Sequence, residues 1–310
     1  MTASLTAQRS FAATIGFFDG VHLGHQSVIS QLRAAAQKRG LQSMVITFER
    51  HPRQVLQSEW QPLLLTSLEE KKELLVRTGI DKLVVLRFDR AMSQLSSREF
   101  MERVLKHELG VSLLLTGYDN RFGHDRTATF DDYVAYGREL GIEVICGQPT
   151  DVAGQRVSSS LVRSLLSEGN VDLAAQCLGR PYQLTGQVGH GEQIGRQLGF
   201  PTANIIVSKG NRLVPAPGVY AVCLSIKGDD TLLQGMMNIG TRPTFHGKQL
   251  TLEANIFDFN GDLYGQHLNV FFIERLRNEQ AFSSAEALME QMEHDAVQAR
   301  EILSAQHITR

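Results

Sequence analysis

The chain has 310 residues, 42% hydrophobic and 21% charged, with a formal net charge of −2; this length suits two globular domains, and the composition excludes a disordered chain. So even a charge balance supplies no broad positive field, which argues against nucleic acid or an anionic membrane as the main partner. Cys146, Cys177 and Cys223 form no C-x-x-C pair, so a disulfide framework and a thiolate zinc site are both disfavoured and a reducing compartment fits. The first ten residues lack a basic stretch followed by an apolar run, and no segment approaches the roughly 20 apolar residues of a membrane span. A cytoplasmic location is therefore expected.

In chain order, short apolar runs at 12–17, 44–48, 82–88, 112–117 and 142–146 read as strands buried on both faces. Between them, 26–39, 68–77, 97–109 and 130–140 carry apolar residues at three- and four-residue spacing and read as helices. This alternation predicts a doubly wound parallel sheet. Two short helices follow at 158–167 and 171–177, the first opened by a serine cluster able to cap free N–H groups. After Gly179-Arg180-Pro181 the pattern changes to β-type runs at 182–188, 202–207, 218–226, 232–239, 251–257 and 267–272, separated by glycine and proline turns. Six strands without intervening helices predict a small closed antiparallel barrel. Leu288, Met292, Ala296, Ala299 and Leu303 share one face of a closing helix at 284–303. The expected fold is thus α/β, a doubly wound parallel-sheet domain at 1–180 followed by a six-stranded antiparallel β-barrel domain with a C-terminal helix at 181–310.

The richest chemistry lies in Gly16-Phe17-Phe18-Asp19-Gly20-Val21-His22-Leu23-Gly24-His25, where the first strand ends and the first helix begins. Ligands of open α/β sheets bind beyond the carboxyl ends of strands, and a helix N-terminus offers unpaired N–H groups to phosphate. Glycine at 16, 20 and 24 permits close backbone approach. His22 and His25 are three residues apart, so both imidazoles can face one polyphosphate and stabilise charge as pyrophosphate leaves. An H-x-x-H pair is also compatible with a capped turn or with two ligands of a zinc site, although no H-E-x-x-H pattern accompanies it.

This segment resembles the G-x-F-D-G-x-H-x-G-H motif of the bacterial bifunctional riboflavin kinase/FMN adenylyltransferase (FAD synthetase) family. Thr47-Phe48-Glu49-Arg50-His51-Pro52 is similar to that family's T-F-x-x-H-P, and Val157-Ser158-Ser159-Ser160-Leu161-Val162-Arg163 to its I-S-S-T-x-I-R. The resemblance implies an N-terminal nucleotidyltransferase domain. In it Gly16, Phe17, Asp19, Gly20, His22 and His25 bind ATP, with Ser159, Ser160 and Arg163 holding the polyphosphate from a second helix start. Serine hydroxyls and a guanidinium one turn later suit that task, and the same serines suit a plain N-cap. Residues 116–127 resemble the family's G-x-[DN]-F-x-F-G-x-x-R-x-G, with Asn120 in place of an aromatic residue and Thr127 or Ala128 where glycine is usual. Asp119 is retained there as an ATP contact and Phe122 as a flavin contact; Asp119 also reads as an ordinary turn residue.

The second constellation is Gly189-His190-Gly191-Glu192-Gln193-Ile194-Gly195-Arg196-Gln197-Leu198-Gly199-Phe200-Pro201-Thr202-Ala203-Asn204. It is no Walker motif, and glycines alone read equally as a hairpin loop. Its Pro-Thr-Ala-Asn ending resembles the riboflavin kinase signature. The resemblance implies ATP binding by Gly189, Gly191, Gly195, Arg196, Pro201, Thr202 and Asn204, with Thr202 and Asn204 serving a nucleotide-bound Mg²⁺, for which oxygen ligands are apt. Pro217-Gly218-Val219-Tyr220-Ala221, the segment 238–245 and Leu252-Glu253-Ala254-Asn255 also match kinase motifs. They imply that Glu253 is the general base for the riboflavin hydroxyl and contacts flavin; the bare pattern permits an outward-facing strand glutamate. Arg277 falls in an R-x-E-x-x-F match that implies a loop closing on flavin; alone it reads as a solvated arginine. The family reading makes riboflavin, FMN, FAD and ATP the small-molecule partners.

Overall fold

The computed structural model describes residues 10–56, 59, 61–117, 121–124, 127–148, 151–152, 155–189, 200–207, 211–229, 231–244 and 247–305. Two compact units divide the chain, Met1–Ser158 and Ser159–Arg310.

The first unit is built on five parallel strands, β1 (Phe11–Ile15), β2 (Gln42–Phe48), β3 (Lys82–Leu86), β4 (Val111–Thr116) and β5 (Glu143–Cys146). They lie in the order β3-β2-β1-β4-β5, the reversal of direction about β1 marking a doubly wound sheet. Successive residues of a strand point to opposite faces, and both faces are buried: Phe11, Ala13 and Ile15 join one apolar cluster while Ala12 joins another with Ile29, Leu32 and Leu75. The covering helices include α1 (Leu23–Lys38), α2 (Leu68–Arg77) and α3 (Phe130–Leu140). Both α2 and α3 begin in reciprocal capping boxes, Ser67 with Glu70 and Thr129 with Asp132, which satisfy N–H groups that the helix leaves open. The helix expected at 97–109 is α-helical only over Ser97–Phe100 and continues as a π-helix over Met101–Glu108. Its last bond runs from Leu109 N to Val104 O, five residues back. A short hairpin, β6 (Asp151–Val152) with β7 (Gln155–Arg156), ends the unit.

The second unit opens with α4 (Ser159–Glu168) and α5 (Val171–Leu178). The backbone of Ala216 donates to Leu166 O at 3.0 Å, and Arg275 donates to Glu168 O at 3.2 Å, so α4 is tied to the strands that follow. Those are β8 (Tyr182–Gly189), β9 (Thr202–Val207), β10 (Gly218–Ile226), β11 (Leu233–Thr244), β12 (Gly247–Ile256) and β13 (His267–Arg277). They close in the order β10-β11-β12-β9-β8-β13. On β10 the alternate residues Tyr220, Val222 and Leu224 are buried, and so are Ala221 and Cys223 on the opposite face. That second face packs under α6 (Ala285–Ser304) through Ala299 and Leu303. The barrel therefore has an apolar interior and one helix-covered flank. No helix among the described residues is long and apolar enough to cross a membrane.

Candidate active sites

Between β1 and α1 the chain turns through three left-handed residues, Phe18 (φ 55), Gly20 (φ 82) and Val21 (φ 42). Two of them are non-glycine, and such strain is held only where surrounding structure enforces it. The enforcement is visible. The Asp19 carboxylate accepts from Leu65 N at 3.0 Å and Thr66 N at 3.1 Å, while Thr66 Oγ1 donates to Asp19 and accepts from Gly20 N at 3.1 Å. Thr47 Oγ1 donates to Phe17 O at 3.1 Å. Glycine at 16 lets the Phe18 ring pack close, since a Cβ there would stand 3.0 Å from it.

This turn delivers His22 as the N-cap of α1, its Nδ1 accepting from His25 N at 3.3 Å. The two imidazoles stack, with centroids 3.6 Å apart at 20°. His22 is buried, and His25 retains part of its surface while its Nδ1 is enclosed without a hydrogen-bond partner among the described residues. Burial, then the neighbouring His22 and Lys71, hold His25 well below the ordinary imidazole range. It is therefore neutral at physiological pH and offers one N–H without a charge to desolvate. Lys71, reached from α2, is a buried cation that sequence reading did not single out. Its Nζ donates to Phe48 O at 2.9 Å and lies 3.9 Å from the Phe17 ring centroid. Burial lowers it to about 8 against the opposing pull of Asp19.

Ser159 opens α4, with Ser160 and Arg163 in its first turns. Ser159 and Arg163 each have interactions of their own. Phe122 is half-buried, its ring stacked on Tyr133 at 4.4 Å and 11°. Asp119 lies outside the described residues, as do Gly191, Gly195 and Arg196.

In the second unit, cross-strand register builds the site. Gly189 of β8 pairs with Asn204 of β9, Asn204 with Glu253 of β12, and Glu253 with Asn238 of β11. Directly paired residues project to the same face, and the two-residue period adds Thr202, itself paired with Asn255. Glu253, Asn238, Thr202 and Asn255 line a cavity of about 350 Å³, together with Arg277 and Asp295. Pro201 O accepts from Asn255 Nδ2 at 2.9 Å, which fixes the turn into β9. Thr202 and Pro201 also line a second cavity of about 800 Å³, together with Phe259, Asp262 and Tyr264. In sequence Asn238 falls in a kinase-motif match without being singled out as a site residue, and the 260–264 loop is not marked at all. The register opposite Glu253 identifies the first, but only a known strand alignment reveals it.

Hydroxyl, amide and carboxylate oxygens on one barrel face suit a hard cation. Among the described residues no group of three or more His, Cys, Asp or Glu could hold a metal ion, so the histidine pair of the first unit has no zinc-type partners there.

A strained glycine-rich turn aiming a histidine pair from the carboxyl edge of a parallel sheet, followed by a barrel with an acid on a polar strand face, defines a two-site transferase of phosphate-containing groups. The FAD synthetase family model matches residues 4–161 and the riboflavin kinase family model residues 178–303. Proteins described as bifunctional riboflavin kinase/FMN adenylyltransferase are similar over nearly the whole chain. That of Pseudomonas fluorescens is 41% identical, covering 94% of this chain and 93% of its own. That of Escherichia coli K12 is 38% identical, with 96% and 94% covered, and that of Bacillus subtilis 168 is 35% identical, with 94% and 92%. A crystal structure described as a macrolide-efflux protein from Streptococcus pneumoniae superposes with a TM-score of 0.86 at 32% identity over 94% of both chains. The chain belongs to the bifunctional riboflavin kinase/FMN adenylyltransferase family, with the domains for both activities present.

Proposed function

We propose that the two activities of this family, riboflavin to FMN and FMN to FAD, run at separate sites in the two domains, 1–180 and 181–310. The observation that carries the reading is the strand register placing Glu253 between Asn204 and Asn238, on the wall of a cavity shared with Thr202. Glu253 is the general base. It accepts the proton of riboflavin's terminal ribityl hydroxyl as that oxygen attacks the γ-phosphorus of ATP, and ADP leaves. Thr202 and Asn204 would hold Mg²⁺, which when bound neutralises phosphate charge. Gly189, Gly191, Gly195, Arg196 and Pro201 wrap the nucleotide, and Arg277 bounds the flavin.

At the N-terminal site an FMN phosphate oxygen attacks the α-phosphorus of a second ATP and pyrophosphate departs. His22 and His25 donate N–H groups to the polyphosphate as its charge grows. Gly16, Phe17 and Gly20 admit the nucleotide to the backbone, Asp19 fixes the turn, and Asp119 and Phe122 contact nucleotide and flavin. Ser159, Ser160 and Arg163 grip phosphate at the start of α4. A neutral His25 suits this role, since it donates a hydrogen bond without a full charge that would hold the product. The efflux description of the pneumococcal protein is not carried over, because the chemistry-bearing motifs here are phosphate motifs. We place the enzyme in the cytoplasm, where ATP and reduced thiols are found.

The test is to incubate the protein with riboflavin, ATP and Mg²⁺ and to separate the flavins. FMN and FAD are expected in sequence; absence of both products overturns the reading.

A further inference from the structure

The apolar stripe of α6 is interrupted by a carboxylate. Asp295 is 2% exposed and shares the buried face with Ala299 and Leu303. A buried acid is costly unless paired, and a paired one is often no more stabilising than an apolar residue of similar size. Stability alone therefore gives no reason for Asp295 on this face.

Its partner gives one. Arg277 Nε donates to both Asp295 oxygens, at 3.0 and 2.9 Å, and its second terminal nitrogen lies 2.7 Å from Oδ2. Gln291, one turn earlier on α6, donates to Asp295 Oδ1 at 2.9 Å. The remaining terminal nitrogen of Arg277 donates to Asn278 O at 3.1 Å, and the guanidinium lies 5.6 Å from the Phe282 ring centroid. One of the two edges by which the guanidinium could take two oxygens of a phosphate, Nε with its neighbouring terminal nitrogen, is thus occupied, and the other edge is made of that same nitrogen and the one held by Asn278 O. Among the described residues, the ionisable side chains of the cavity wall are Glu253, Glu279 and Asp295 with Arg277. An uncharged acceptor meets no repulsion at that acidic wall, whereas a dianionic monoester does wherever no bound cation offsets it.

We propose that Asp295 is a positioning and specificity-determining residue of the kinase site: by holding one edge of Arg277 it makes that side chain a wall for uncharged riboflavin and denies it to the phosphate of FMN. The inference rests on assigning this cavity to the flavin. The consequence is kinetic, since product whose phosphate finds no cation departs readily and does not compete with substrate.

Asp295→Asn keeps the shape of the side chain and removes its charge. Kinase turnover is followed by ADP release, which the adenylyl transfer does not produce, and adenylyl transfer by pyrophosphate release. With the anchor weakened, KM for riboflavin should rise at least about tenfold with kcat within about threefold. Competitive inhibition by FMN should tighten at least about fivefold as Arg277 becomes available to phosphate. KM for ATP and FAD formation from supplied FMN should not change. A second variant, Arg277→Leu with Asp295→Leu, leaves no buried charge alone; it should raise KM for riboflavin without the gain in FMN inhibition. Unchanged riboflavin KM and FMN inhibition in Asp295→Asn, or tightened FMN inhibition in the double variant, overturns the proposal. Should Asp295→Asn not fold, an unchanged riboflavin KM in the double variant overturns it. Glu253→Gln, assayed in parallel, separates the two levels: if it still forms FMN the cavity assignment falls, and if it is inactive while Asp295→Asn matches wild type only the role of Asp295 falls.

Discussion

The two sites handle phosphate by opposite constructions. In the parallel-sheet unit the histidine pair and its turn are contiguous in sequence and depend on a backbone forced through left-handed residues 18, 20 and 21, with burial shifting His25 and Lys71 toward neutrality. In the barrel the row of paired residues holds no left-handed non-glycine residue among the described ones. Residues up to 64 positions apart in sequence come together because strand pairing aligns Gly189, Asn204, Glu253 and Asn238 in one row. The contrast teaches that a phosphate site can come from loop geometry or from register, and that the two fail differently. A loop site is sensitive to what sits beneath the turn, a register site to individual functional groups.

The largest expected effect is at the register site. Glu253→Gln should lower FMN formation about a thousandfold, within the span of general-base contributions, while FAD formation from supplied FMN is retained. His25→Ala should lower FAD formation from FMN roughly a hundredfold or more, with FMN formation retained. Rates of ADP and pyrophosphate release on each variant check both. Either substitution abolishing both reactions in folded protein would dissolve the contrast.

Lys71 tests the claim that buried charge beneath the turn distinguishes the first site. Its folded value near 8 lies below the ordinary lysine value of 10.5. Below pH 8 the ammonium is charged in folded and unfolded chains alike, and its burial penalty is fully felt. Between pH 8 and 10.5 the unfolded chain binds more protons, so wild-type stability rises with pH. Lys71→Met should therefore be more stable than wild type at pH 7, by about 3 kcal/mol at most, and the advantage should shrink toward pH 10.5. Denaturant unfolding at pH 7 and pH 10 measures it, and a pH-independent difference would refute the titration. The smallest effect is at Gly20. An added Cβ at φ 82 should cost about 1–2 kcal/mol and lower the melting temperature of the first unit, with KM for ATP raised in the adenylyl reaction alone. Calorimetry and kinetics of Gly20→Ala would show whether the strain is specific to that site.

Most of the fold was legible because its signals are local. Alternation of buried strands with helical spacing marked the parallel sheet, and glycine and proline turns marked the barrel strands. The π-helix was not, because a five-residue bond pattern over Met101–Glu108 leaves an apolar spacing that also fits an α-helix. The histidine pair and Glu253 were readable from motifs. Lys71 and Asp295 were not, since a charged residue in an amphipathic helix reads as its solvated face, and only packing shows that both are buried. That Asn238 stands opposite Glu253 needed the register of β11 on β12, which hydrophobic pattern alone leaves open by whole two-residue steps.

The central claim is two independent sites in one chain, and the most direct measurement is complementation. His25→Ala and Glu253→Gln are each incubated with riboflavin, ATP and Mg²⁺, alone and mixed, and the flavins are separated. Alone, His25→Ala should stop at FMN and Glu253→Gln should leave riboflavin unchanged; mixed, they should make FAD. Loss of FMN formation by folded His25→Ala, or FAD made from riboflavin by Glu253→Gln alone, would contradict the account.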